Sequence, residues 1–409
     1  MFEGISLPKV YPVTQKFDDF FIRNIGEVIR FELERSGILA RLSPGMKVAL
    51  TVGSRGIDRI DEVIRETGTI IKSKGARPFL LSAMGSHGGG TTGGQIRLLA
   101  QLKLGEKSLG MQIRVSDEVV EIARTVCGVG VFVNKLVFDA DALLVINRVK
   151  PHSSICGPHQ SGIVKMLVVG LGGAKGAQSL HSRGPVEMAR LLPLMAEEIL
   201  LRLPVIGGLG LVENAYHKLM EIRATTAANF LDTDKELLKR AIRKMPALPF
   251  DVIDVLVVEE IGKDISGVGM EPVVIGRRGI KGLPDYPRPC IKRIVALSLS
   301  DGSGGNAHGI GLADIITDKL KNKINWEATI MNAVTTGFPE KSAIPISFST
   351  DREAVCAGIA TSWVEPSKVR LIKIKNTKEI EKIFISPALL DEARRLSGLV
   401  VEDDIIELL

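Results

Sequence analysis

The chain has few aromatic residues, little cysteine and no long apolar run, and each shortage removes a class of explanation. Phe, Trp and Tyr together make up 4% of the residues, too few to supply the stacked rings on which single-stranded nucleic acids lie. The four cysteines, Cys127, Cys156, Cys290 and Cys356, have no paired metal-type spacing and suggest no disulfide framework. No run of about 18 apolar residues occurs, so neither a membrane span nor a membrane partner is expected. The opening MFEGISLPKVYPV lacks a basic head followed by an apolar segment, so no secretory signal is expected and the cytoplasm is the simplest address. HExxH, the Walker A lysine loop and the GxSxG elbow are missing as well. The net charge of +6 is scattered, with only short clusters such as Arg277-Arg278 and Lys319, Lys321 and Lys323. A small anionic ligand accounts for that excess as well as a nucleic acid does, and nucleic-acid binding is not expected.

What remains is an ordinary globular composition, 45% hydrophobic and 24% charged, over 409 residues. That length favours two domains over one core. Short apolar runs predict strands over 47–52, 78–83 and 142–146, and apolar spacing predicts helices over 60–74 and 95–102. The run 205–212 is expected to pair with 218–224, and helices are expected over 20–40, 186–203 and 233–244. Two prolines in 245–249 mark a boundary. Beyond it, strands are expected over 252–258, 294–299 and 368–374, and helices over 310–320, 326–334 and 387–396. The repeated strand–loop–helix order predicts an α/β fold: two α/β domains, 1–245 and 250–409, with largely parallel sheets and a cleft between them.

The chemistry-bearing residues concentrate in NRVKPHSSICGPHQSGIVKMLVVGLGGAKGAQSLH, residues 147–181. This stretch holds His152, His159 and His181, three of the six histidines, with Lys150, Lys165 and Lys175. It follows an expected strand, and open α/β sheets build their sites just past strand ends. Three further loops combine glycine with polar side chains: GSRG, MGSHGGG and GSGGNAHGIG. Glycine lets backbone amides approach a phosphate or carboxylate closely. Arg55 could hold such a group in two-point fashion, or form a surface ion pair with Asp58 or Asp61. His87, between Ser86 and Gly88, is oddly placed for a core histidine. His152 and His159 both follow proline, and one of them could be a plain loop residue. In the later loops, Asp264, Ser266, Asn306, His308 and Asp314 could face a substrate or could serve as caps and turn residues. GLGGAKG imitates a dinucleotide fingerprint, but counted from Gly170 its third glycine position is occupied by Lys175.

In this order the motifs resemble the nickel-pincer lactate racemase family, whose members racemise or epimerise 2-hydroxy acids. GSRGI resembles its substrate-side arginine loop, AMGSHGG its first catalytic-histidine loop, and Pro151-His152 its second. SGIVK resembles the segment whose lysine carries the cofactor, and His181 stands sixteen residues past Lys165, where the family places its nickel ligand. RVKPH, SGxxKM, GLGxxKG, GKDISGVGM and TDREA resemble a divergent branch of that family, a domain of unknown function. Val52 stands where the family has an aspartate, and the interval from the Pro-His pair to the lysine is longer than in lactate racemase.

The resemblance implies an isomerase acting on a small 2-hydroxy acid. It implies His87 and His152 as acid and base on opposite faces, Arg55 on the substrate carboxylate, and cofactor contacts from Lys165, Ser86 and Gly88. It also implies nickel bound by His181, a nickel-pincer nucleotide (a pyridinium mononucleotide with two thioacid groups) as cofactor, and the enzymes that make this cofactor as partners. Two other readings stay open at this point: a binding module for a nucleotide or acidic metabolite, and an NAD-dependent 2-hydroxy acid dehydrogenase.

Overall fold

The computed structural model describes residue 2 and residues 4–409. They form an α/β protein of two compact units, one of residues 18–245 and one of residues 1–17 with 246–409. In chain order, β1 (Tyr11–Gln15) is followed by α1 (Ile25–Arg35), β2 (Lys47–Val52), α2 (Ile60–Ser73), β3 (Arg77–Ser82), α3 (Thr92–Gln101) and α4 (Glu106–Leu109). Next come β4 (Ile113–Arg114), β5 (Val119–Arg124), β6 (Gly130–Asn134) and β7 (Ala142–Arg148). The central stretch contributes α5 (Ile163–Lys165), a π-helical turn (Met166–Gly170) and α6 (Gly173–His181). It leads into α7 (Gly184–Arg202), β8 (Val205–Glu213), β9 (Leu219–Thr226) and α8 (Phe230–Lys244).

The unit of residues 18–245 is built on a six-stranded sheet in the order β4-β3-β2-β7-β8-β9. All neighbours run parallel except β8 and β9. Five successive residues are buried in each of β2, β3 and β7, the pattern of parallel strands covered on both faces. Helix α1 starts at Ile25, later than expected, because the Asn24 side chain caps it by accepting from the Glu27 amide at 3.2 Å. Helix α8 packs on β8, where a Cβ on Gly210 would overlap Leu237 of that helix. The glycine therefore sets how near α8 approaches the sheet.

In the other unit, β10 (Val252–Ile261) and β11 (Cys290–Leu299) precede β12 (Ile315–Thr317), α9 (Asp318–Asn322), α10 (Trp326–Thr336), β13 (Ile346–Phe348) and α11 (Asp351–Ala360). β14 (Leu371–Ile374), β15 (Lys382–Ile385), α12 (Leu390–Arg395) and β16 (Leu399–Val401) complete it. Its eight-stranded sheet has the order β13-β12-β11-β10-β14-β15-β1-β16, parallel from β13 to β14 and antiparallel from there on.

Two expectations need correction. The N-terminal strand does not belong with the residues that follow it: β1 pairs with β15 and β16, with Tyr11 opposite Ile385 and Val13 opposite Val401. Burial decides this, since Val13 is fully buried in a core shared with Ile253, Ile294 and Ile383. The expected helix over 310–320 is interrupted by β12, whose Ile315 and Ile316 pair in parallel with Val295 and Ala296. Three β-branched residues between two sheet neighbours outweigh the helical spacing there. Among the described residues, no helix is long and apolar enough to cross a membrane.

Candidate functional site

Strands β3, β2 and β7 are adjacent and parallel, so their carboxyl ends lie along one edge and the loops beyond them gather there. The loop after β2 carries Ser54 and Arg55, the loop after β3 carries Ser86 and His87, and the chain after β7 carries Lys150, His152 and the segment leading to Lys165. Hydrogen bonds join them. The Ser54 hydroxyl hydrogen-bonds His87 Nδ1. Asn147, at the end of β7, donates from Nδ2 to the Gly162 carbonyl at 2.7 Å. The Gly85 amide donates to the Gly170 carbonyl at 3.1 Å.

The segment 161–181 is held by its apolar residues. Ile163, Val164, Leu167 and Val168 are fully buried, and paired backbone bonds between Lys150 and Ser161 close the loop before them. The Leu171 amide reaches back to the Met166 carbonyl at 2.9 Å, a five-residue step that makes the turn after Lys165 π-helical. Such turns are found disproportionately at functional sites.

Electrostatics tie Arg55, Lys165 and His181 together. Lys165 is held down to about 8 by burial first, and then by the Arg55 guanidinium and the Lys150 ammonium. Burial and then Lys165 push His181 down to about 4, so its ring is neutral at pH 7 and has a lone pair to offer. Arg55 is lowered by desolvation and then by Arg148. No hydrogen bond or ion pair engages the side chains of Arg55, Lys165 or His181 among the described residues. The ion-pair alternative for Arg55 is not realised: Asp58 pairs with Arg59 and Lys218 and accepts the Leu219 amide.

His152 is half-buried, and its Nδ1 accepts the Ser154 and Ile155 amides, each at 3.1 Å. In the neutral ring the proton therefore sits on Nε2. The Gln160 side chain accepts the His152 amide at 2.8 Å. Ser86 is exposed beside His87. Gly88 has a φ of 66°, and its carbonyl accepts the Thr91 hydroxyl at 3.1 Å, a turn that leads into α3. Lys175 is exposed on α6. GLGGAKG lies between helical residues and does not follow a strand, so it lacks the strand–turn–helix setting of a dinucleotide fingerprint.

His159 is buried and sits 3.0 Å from Asp234 on α8. Reading the sequence did not single out Asp234, although a signal existed. It falls on the buried stripe of its helix with Phe230, Leu237, Leu238 and Ala241, where an acid needs a partner.

The later candidates form local bonds within their own unit. Asp264 accepts from Ser300 at 2.5 Å, and Asp314 accepts from the Ile294 amide and Arg277. The Ser266 amide donates to Gly262, and Asn306 bridges the His308 amide and Asn332. His308 contacts Ser342 at 2.9 Å and Thr336 at 3.4 Å.

No family model matches the chain, and no curated protein matches it. Among solved structures it is similar to the lactate racemase apoprotein from Thermoanaerobacterium thermosaccharolyticum. The identity is 13% and the TM-score 0.49, over 90% of this chain and 98% of that one.

Proposed function

We propose that this chain is an isomerase, a racemase or epimerase of a 2-hydroxy acid that works with a nickel-pincer nucleotide joined to Lys165. One observation carries the reading: Arg55 and Lys165, two cations from separate segments, come together beside the neutral ring of His181, and among the described residues no acid pairs with any of the three. Cations arranged in this way suit an anionic ligand. The motif order GSRGI, MGSHGG, PH and SGIVK, then His181, supports the same assignment.

The residues fit the group. With a value of about 8, about a tenth of Lys165 is neutral at pH 7, so its amine would have a lone pair to bond an acyl or thioacyl carbon, with hydroxide or hydrosulfide leaving that carbon and the amine proton passing to solvent. His181 offers a neutral imidazole, which suits nickel alongside soft sulfur donors. Among the described residues, no three or more His, Cys, Asp or Glu side chains assemble a metal site by themselves, so a nickel held by His181 would need its other donors from the group on Lys165. When bound, that group supplies an acceptor for the α-hydrogen of the substrate.

The protein's own residues do the rest. Arg55 binds the carboxylate and fixes the acid about its C1–C2 bond. His87, steadied by Ser54, takes the hydroxyl proton on one face. His152, with Nδ1 accepting two amides, offers Nε2–H as a donor to the oxygen on the other face; to take a proton there it would first give up those amide bonds and carry its own proton on Nδ1. Proton exchange on both faces is what inversion of the α-carbon requires.

The test is to incubate the loaded protein with single enantiomers from a panel of 2-hydroxy acids and follow optical purity by chiral chromatography. Conversion of one member towards a racemate or epimer mixture is expected. Loaded protein that leaves every member unchanged would overturn the proposal.

A further inference from the structure

We propose that Asp234 and His159 form a buried positioning pair that clamps the segment carrying Lys165 from behind; this deepens the reading of Lys165 as the attachment point. Asp234 is 1% exposed and His159 6%. A carboxylate so far from water is tolerated only when both oxygens are engaged, and here they are. Oδ2 lies 3.0 Å from His159 Nδ1, and Oδ1 accepts the Val164 amide at 3.3 Å. Val164 immediately precedes Lys165 and lies in the first turn of its helix, where amides have no acceptor within the helix. Asp234, 70 residues further along the chain, supplies that acceptor from another helix.

Gly162 completes the clamp. Any Cβ there would overlap the Asp234 carboxylate, so α8 approaches the segment only because position 162 has no side chain. On the other side, Asn147 holds the Gly162 carbonyl at 2.7 Å. The backbone one and three residues before Lys165 is thus gripped by α8 and by the end of β7, and α8 is itself seated closely on β8 over Gly210. His159 donates from Nδ1 and keeps the carboxylate turned so that Oδ1 faces Val164. Neither residue touches the reacting atoms; both act through the lysine segment.

The test compares wild type, Asp234→Ala and Asp234→Asn by amide hydrogen exchange at Val164 and by the fraction of folded protein that gains the cofactor mass. Asn keeps an oxygen for the Val164 amide and Ala does not. Loss of that acceptor should speed Val164 exchange roughly tenfold, with a comparable fall in loading, and Asn should restore both. A residue that matters only for overall stability would let the folded fraction of the alanine variant load normally. The nitrogen chemical shifts of His159 should report Nδ1–H in wild type and a switched tautomer in Asp234→Asn. If Asp234→Ala does not fold, His159→Leu takes its place, with faster Val164 exchange and slower loading expected. Unchanged exchange in whichever variant folds overturns the clamp. Faster exchange with no cofactor mass on wild type leaves the clamp standing and removes the cofactor reading instead.

Discussion

In residues 18–245, no hydrogen bond or ion pair engages the side chains of Arg55, Lys165 or His181 among the described residues. In the other unit, Lys263 donates to the Gly267 carbonyl at 2.6 Å and to Asn332 at 2.5 Å, and His308 is bonded to Ser342 and Thr336. Both sets lie in chain that follows parallel strands, Lys165 and His181 on short helices there, and each contains a histidine held down to about 4 by burial first and lysines second. A depressed histidine therefore does not tell the two regions apart. Their partners do. Where basic groups are satisfied by local oxygens, the loops explain themselves; where they crowd one another unpaired, each costs the fold some stability.

The contrast can be broken most sharply at Lys165. Lys165→Ala should end covalent loading and with it all racemisation, read by intact mass and chiral assay; a cofactor-sized mass on that variant removes the attachment assignment. His87→Ala and His152→Ala should each lower kcat by ~10²–10⁴-fold while bound nickel stays at the wild-type level. Full activity in either variant removes that histidine from the reaction. His181→Ala should lose nickel by elemental analysis, whereas His308→Leu should keep it and instead lose ~1–3 kcal/mol of stability by leaving the Ser342 hydroxyl unpaired.

The subtlest expected effect concerns stability and pH. Burial and its basic neighbours hold Lys165 down to about 8 in the folded chain, below the ordinary lysine value of 10.5, so between these values the unfolded chain binds more protons and stability rises with pH. Below about 8 the full penalty is present, on the order of 1–3 kcal/mol. Lys165→Met should therefore stabilise the protein at pH 7 in denaturant titrations, and the gain should vanish by pH ~10.5. A variant less stable than wild type at pH 7 would mean that the lysine is satisfied after all.

Much of this architecture could be read from local pattern. The strand expected over 47–52 is β2 itself, because Val48 to Val52 are all buried and alternation plays no part. Gly75 at φ 79° ends α2 as its sequence position suggests. What escaped reading depends on distant partners. Strand β1 finds its neighbours at the far end of the chain, and β12 is three residues long and becomes a strand only between β11 and β13. Helix α11 went unread although Thr350 and Glu353 form a capping box at its start. In the candidate site, GSRG, MGSHGGG and SGIVK announced themselves by residue type. Asp234 did not, because its meaning lies in Val164 and His159, two contacts that no local spacing encodes.

The most direct measurement is intact mass with peptide mapping and nickel analysis on the chain co-produced with enzymes that make the pincer nucleotide. The account predicts a mass increase on Lys165 and about one nickel per chain, held with His181. An unmodified Lys165 and no nickel would contradict it, and would leave the cluster of Arg55, Lys165 and His181 as a site for an anion that is held without being turned over.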